Sequence, residues 1–65
     1  MEEKDLIIGK EYYLDCLKIE KGIYIGRKSN KIGVFFKPTT YTGYLTEPDG
    51  SVGFISSNQN TPVES

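Results

Sequence analysis

Three turn signals divide the chain from residue 20 onward into short apolar segments. They are Glu20-Lys21-Gly22, Ser29-Asn30 and Pro48-Asp49-Gly50. The segments between and after them, residues 23–25, 32–36, 43–45 and 52–55, are rich in β-branched and aromatic side chains. Short apolar runs separated by closely spaced turns are typical of antiparallel sheets. The pattern predicts a small all-β fold.

Glycines inside the predicted strands indicate the shape of the sheet. A glycine in mid-strand is tolerated where the strand bends sharply, and one occurs in or beside each later strand, at Gly26, Gly33, Gly43 and Gly53. We therefore predict a five-stranded antiparallel meander that closes into a small SH3-like barrel. The alternatives are an OB-like barrel and an open sheet with one short helix near residues 9–19. We interpret residues 9–19 as a strand because two tyrosines are adjacent in the sequence. A helix with an apolar stripe of Tyr13, Leu14 and Leu17 remains the alternative.

The length of 65 residues allows one domain, which we place at residues 6–57. Residues 1–5 are expected to fray. The polar segment 58–65 has little to bury and is expected to be a disordered tail.

Cys16 is the only cysteine, so no disulfide forms within the chain, and we expect it to be a small buried residue. A single cysteine fits a reducing compartment. The acidic start and the short apolar run at residues 6–8 do not resemble a signal peptide, and no run approaches the roughly 20 apolar residues of a membrane span. The sequence predicts a soluble, cytoplasmic protein.

The Ser29-Asn30 turn sets the expected register of the central hairpin. A loop of two or four residues pairs Tyr24 with Phe35 and Ile23 with Phe36. Tyr24 and Phe35 then lie exposed side by side on one face. The opposite face is the predicted core, formed by Ile23, Ile25, Ile32, Val34 and Phe36.

The Pro48-Asp49-Gly50 turn sets the last hairpin. It suits a type I turn with Gly50 at positive φ. Glu47 then faces Ser51, and Tyr44 faces Phe54. The pattern does not decide which face of the hairpin at residues 41–56 is buried.

Charge is distributed in three blocks. Residues 1–17 carry a net charge of −3, residues 18–37 carry +5 and residues 38–65 carry −3. Two outcomes follow from this arrangement. The acidic flanks either fold back and neutralise the basic centre, or they leave a local positive patch.

Residues suited to catalysis are scarce. The chain has no histidine, Glu47 and Asp49 lie astride a turn where solvent favours the charged form, and Glu2, Glu3 and Asp5 lie in the terminus that is expected to fray. We predict no enzymatic activity, no metal and no cofactor. The predicted partner-binding face is the pair Tyr24 and Phe35, together with Arg27, Lys28, Lys31 and Tyr44. The competing interpretation of the aromatic pair is structural, with one ring covering neighbouring glycines.

Two functions remain open at this point. The first is a protein-binding module that acts as a subunit, adaptor or inhibitor of a larger protein, as a monomer or small homo-oligomer. The second is a nucleic-acid-binding barrel that uses the Lys28/Lys31 hairpin and strand aromatics. The near-neutral charge and single arginine favour the first.

Overall fold

The computed structural model describes residues 2–64 as a four-stranded antiparallel sheet in the order β1-β2-β3-β4. The strands are β1 (Glu11–Tyr13), β2 (Lys21–Gly26), β3 (Val34–Pro38) and β4 (Val52–Phe54), and a 3₁₀-helix at Glu3–Asp5 precedes them. Within this described range there is no α-helix. No helix there has the length and apolar character to cross a membrane.

The predicted all-β antiparallel meander is confirmed, but the predicted barrel is not. Across residues 2–64, β1 and β4 lie at opposite ends of the strand order and the sheet stays open. Residues 43–45, predicted as a strand, belong to the loop between β3 and β4. That loop is held by Tyr44, whose ring contacts Phe54 with 5.4 Å between centroids.

The register between β2 and β3 differs from the prediction by one residue. Tyr24 pairs with Phe36 rather than Phe35, and the pairing shifts between Tyr24 and Gly26. The cause lies in a longer connection than the expected turn. Gly33 takes φ +100° so close to β4 that a Cβ there would lie 2.1 Å from the Phe54 carbonyl oxygen, and β3 begins only after it.

The two faces of the sheet carry different residues. On the first, which we call the packed face, the rings of Tyr12, Tyr24, Phe36 and Phe54 contact one another, with 5.2 Å between the Tyr24 and Phe36 centroids. Leu6, Leu14 and Val34 complete this core, and Val52 is buried beside Phe36. The other side, the open face, carries alternate strand residues such as Glu11, Tyr13, Lys21, Ile23, Phe35 and Lys37.

Two of the five predicted core residues are therefore buried. Val34 and Phe36 are buried as expected, but Ile23 and Ile25 lie on the other side of β2 from Tyr24 and are partly exposed. Ile32 precedes β3 and is 81% exposed. Burying one aromatic ring among others stabilises more than burying an isoleucine, because edge-to-face ring contacts add to the apolar area removed from water.

Both ends of the chain contact the sheet, with Leu6 in the core and residues 61–63 along β1, while the expected fraying of residues 1–5 and disorder of residues 58–65 stay predictions. The Tyr13 N–H donates to the Thr61 carbonyl at 2.8 Å, the Val63 N–H donates to Glu11 at 3.1 Å, and Pro62 lies opposite Tyr12. Main-chain pairing along β1 needs no apolar side chain, so composition does not reveal it. Met1 and Ser65, the outermost residues of the two predicted flexible ends, lie outside the described residues.

The Asn60 side chain anchors this C-terminal segment. It is almost fully buried, and its Nδ2 donates to the Tyr13 carbonyl at 3.1 Å. Breaking a hydrogen bond from a buried amide to a strand carbonyl costs free energy, because the carbonyl would then remain without a partner.

The loop at residues 14–20 follows β1 and replaces the helix that the sequence left open. Asp15 Oδ1 accepts the backbone N–H groups of Ile19 at 2.9 Å and Glu20 at 3.2 Å. Leu14 points into the core, whereas Cys16 is exposed, so the expectation of a buried cysteine is wrong.

Candidate functional site

The predicted aromatic platform does not exist. Tyr24 is 6% exposed on the packed face, and Phe35 is 4% exposed on the open face. The one-residue difference in register separates them, because it turns Tyr24 toward Phe36. Burial, with a smaller contribution from the Glu3 charge, raises the pKa of the Tyr24 phenol.

Phe35 has a structural environment of its own. Its ring covers Gly53 so closely that a Cβ at Gly53 would lie 2.6 Å from Phe35 Cε2. The Lys28 ammonium lies 4.8 Å from the ring centroid, in the range of a cation–π interaction. The Phe35 ring therefore covers a glycine, but this glycine is Gly53 of β4 rather than one of the neighbouring glycines of the central hairpin.

The basic residues of the β2–β3 connection are each paired with a carboxylate. Arg27 donates two hydrogen bonds to Glu3, both at 2.6 Å. Lys28 donates to Asp49 at 2.5 Å and to Ser51 at 2.6 Å, while Lys31 lies 3.2 Å from Glu47. The acidic flanks thus fold back onto Arg27, Lys28 and Lys31, whereas the other three lysines of residues 18–37 have no salt bridge within residues 2–64.

These ion pairs change the acidity of the carboxylates. The hydrogen bond from Arg27 lowers the pKa of Glu3. The hydrogen bond from Lys28, followed by those from Ser51, holds the pKa of Asp49 far below its usual range. Both groups stay charged at neutral pH, which keeps the pairs intact.

Tyr44, the last predicted site residue, connects two loops. Its hydroxyl donates to the Leu14 carbonyl at 3.4 Å, and the adjacent Gly43 N–H donates to Glu20 Oε1 at 3.1 Å. Burial, and then the nearby charges of Glu20 and Asp15, raise the pKa of the Tyr44 phenol. These bonds join residues 14–20 to residues 39–46, and we call the two together the loop pair.

The loop pair presents large apolar side chains to solvent. Between 65 and 97% of the surface is exposed at four of its residues, Leu17, Ile19, Tyr41 and Leu45. A further bond, from the Lys21 N–H to Thr40 Oγ1 at 3.0 Å, fixes the base of the second loop. This surface was not predicted, because the sequence pattern places residues 43–45 in a strand. A usable signal was present, since a chain of this size cannot bury all of its large apolar residues.

A second surface lies on the open face beside β1. Tyr13 pairs with Lys21, and Ile23 pairs with Lys37 in the next row. The Lys18 ammonium lies 6.0 Å from the centroid of the Tyr13 ring. A cleft of about 320 Å³ opens there, lined by Tyr13, Lys18, Thr61, Pro62 and Glu64.

Comparison with known proteins gives no assignment for either surface. No protein-family model matches the chain, no curated protein is significantly similar to it, and no solved structure matches it significantly. Any function has to be argued from the two surfaces themselves.

Proposed function

We propose that this chain is a non-enzymatic protein-binding module, a subunit, adaptor or inhibitor of a larger protein, and that it contacts its partner through the loop pair. The observation that carries the proposal is the exposure of Leu17, Ile19, Tyr41 and Leu45 on two loops that are bonded to each other. Clustered exposed apolar residues mark interaction sites more often than isolated ones do.

The backbone of the loop pair supports this function energetically. Binding costs free energy when a loop must be ordered at the interface. Here the bonds from Gly43 to Glu20 and from Lys21 to Thr40 already hold the second loop against the first. Tyr41 then offers a large aromatic side chain of the kind enriched among binding hot spots.

The acidity of the carboxylates argues against acid catalysis. A general acid needs a pKa raised toward neutrality. The pKa values of Glu3 and Asp49 are lowered instead, by the cations that bond them. The proposal includes a reducing compartment such as the cytoplasm, because the thiol of Cys16 is exposed and would otherwise be open to intermolecular disulfide formation.

The test compares two ends of the molecule. A Tyr41→Ser/Leu45→Ser variant removes apolar surface from the loop pair, and an Ile32→Ser/Ile55→Ser variant removes comparably exposed surface beside Gly33. Partners captured from lysate of the expressing cells are identified by mass spectrometry and titrated against each variant. We expect at least about tenfold weaker binding for the loop variant and less than about twofold change for the control. Equal losses, or none, would contradict the proposal.

The nucleic-acid alternative loses its original basis, because Lys28 and Lys31 are both paired with carboxylates. Titration of labelled single- and double-stranded oligonucleotides at low salt tests it directly. Binding that disappears as salt is added would favour nucleic acid over protein.

A further inference from the structure

We propose that the open face beside β1 binds an acidic, extended segment of a protein. We call this surface the lysine face and define it by Tyr13, Lys18, Lys21, Ile23 and Lys37. The inference rests on the proposed function, since it names the chemistry of a partner segment. It uses the open face of the sheet and shares only Lys18 with the loop pair.

The first argument is the distribution of ion pairs. Among residues 2–64, salt bridges neutralise Lys4, Arg27, Lys28 and Lys31. The three lysines of the lysine face have no carboxylate within 4 Å in that same part of the chain. Three of the four lysines without a salt bridge in residues 2–64 therefore belong to this face, the fourth being Lys10.

The second argument is the spacing of the lysines. Lys21 lies opposite Tyr13, and its carbonyl accepts a hydrogen bond from the Thr39 N–H, while Lys37 lies opposite Ile23. Lys21 and Lys37 are thus diagonal neighbours, about 7–8 Å apart at their backbones. Alternate residues of an extended peptide are separated by roughly 7 Å. Two alternate carboxylates of such a peptide match the two lysines.

Carboxylates of the chain limit what the face accepts. Glu11 lies in the same row as Ile23 and Lys37 and accepts a hydrogen bond from Thr39 Oγ1 at 2.7 Å, and Glu64 lines the cleft. These two charges repel a continuous chain of phosphates. A peptide avoids them by placing acidic residues only opposite the lysines and an apolar or polar uncharged residue in the cleft beside Tyr13.

The third argument is the backbone of Lys18. It has φ +60°, a left-handed conformation that asparagine or glycine adopts at lower cost. The structure nevertheless has lysine there, with its ammonium over the Tyr13 ring at the edge of the cleft. A strained residue whose side chain borders a cleft supports a binding role rather than a purely structural one.

The experiment uses the full chain and a fluorescein-labelled peptide of about ten residues that alternates glutamate with threonine, followed by fluorescence anisotropy at low and physiological salt. We expect saturable binding at low salt that weakens as salt is added. The Lys18→Asn/Lys21→Gln/Lys37→Gln variant should bind at least about tenfold more weakly. Lys10→Gln is the matched control, because Lys10 is also exposed and has no carboxylate within 4 Å in residues 2–64, and it should change affinity less than about twofold.

The single variant Lys18→Asn separates binding from stability. We expect an unchanged or higher melting temperature together with weaker peptide binding, because asparagine tolerates the left-handed conformation. A lower melting temperature would assign Lys18 a structural role and remove the third argument.

Three results would overturn the proposal. They are absence of peptide binding by the unmodified chain at low salt, an equal loss in Lys10→Gln, and tighter binding of a single-stranded oligonucleotide than of the peptide. The Tyr41→Ser/Leu45→Ser variant should bind the peptide normally. Failure of the lysine face is therefore distinguishable from failure of the loop pair.

Discussion

The two faces of the sheet bury aromatic rings to a similar extent by different means. On the packed face, Tyr24 is covered by other rings and by the leucines that close the core. On the open face, the Lys28 ammonium lies over the Phe35 ring, and hydrogen bonds to Asp49 and Ser51 hold it there. A single-layer sheet thus shields its second side with a long amphipathic side chain instead of a second layer. Burial of a ring alone does not show that the ring belongs to a core, because the groups that cover the ring determine how firmly it is held.

The sharpest test of this difference is truncation on each face of the sheet. Phe36→Ala removes the central ring of the packed face and should cost about 3–5 kcal/mol of unfolding free energy, enough to unfold much of the population. Ile25→Ala on the other side of β2 should cost less than about 1 kcal/mol, because Ile25 is already partly exposed. Urea titration measures both. Similar losses would mean that the two faces are not distinct in energy.

Removing residues 58–65 tests how much the C-terminal segment along β1 contributes to the stability of the sheet. The deletion removes two backbone hydrogen bonds to β1 and the Asn60 bond to Tyr13, so we expect a loss of about 1–3 kcal/mol and a lower melting temperature. Asn60→Ala alone isolates the side-chain contribution. An unchanged melting temperature after deletion would show that the segment contributes nothing to stability, as its composition first suggested.

Substitutions at two glycines test the close contact between Gly53 and the Phe35 ring. Gly53→Ala would place a methyl group 2.6 Å from the Phe35 ring and should cost about 1–3 kcal/mol by displacing it from beneath Lys28. Gly43→Ala is the control, because nothing lies within 4 Å of its added Cβ. Thermal denaturation gives the melting temperature of both variants. If Gly53→Ala lowers it as little as Gly43→Ala does, the close contact between Gly53 and the Phe35 ring does not contribute to stability.

The smallest effect is expected in acid. Because the folded pKa of Asp49 is lowered, its contribution to stability is present above the unfolded pKa of about 3.9 and is lost as pH falls further. The lowered pKa of Glu3 acts in the same direction. Below about pH 4, the urea midpoint of Asp49→Asn should fall less steeply than that of the unmodified chain. Asp5→Asn is the control, because the Asp5 carboxylate has no salt bridge in residues 2–64, and its midpoint should fall as in the unmodified chain. An unaltered profile for Asp49→Asn would mean that the Lys28 pair does not stabilise the fold.

Local turn chemistry was predictable from the sequence. The bond from Gly50 to the Glu47 carbonyl, the bond from Glu47 to Ser51 and the positive φ of Gly50 all agree with the predicted type I turn. A turn of this kind depends on four or five adjacent residues, so its signal is complete within the sequence.

The register of the central hairpin was not predictable in the same way. Isoleucines alternate with Tyr24 along β2, so either side of the strand is apolar enough to be buried. The outcome depends on packing between distant segments. Leu14 fills the space over Gly22, where a Cβ would lie 3.2 Å from its Cδ2, and Phe36 meets Tyr24. The predicted exposure of Tyr24 and Phe35 as a pair failed with the register, because it followed from that register.

Pro62 has a consequence for how this sheet can grow. It lies opposite Tyr12 between the two hydrogen bonds that hold the C-terminal segment, so the backbone position that points away from β1 is one without an N–H. A further strand arriving from that side finds no donor at the centre. Within residues 2–64, β4 is the other end of the strand order, and it is three residues long. Strand addition between copies is therefore limited to one short edge, which permits pairs of molecules but not the continuous end-to-end stacking of a fibril.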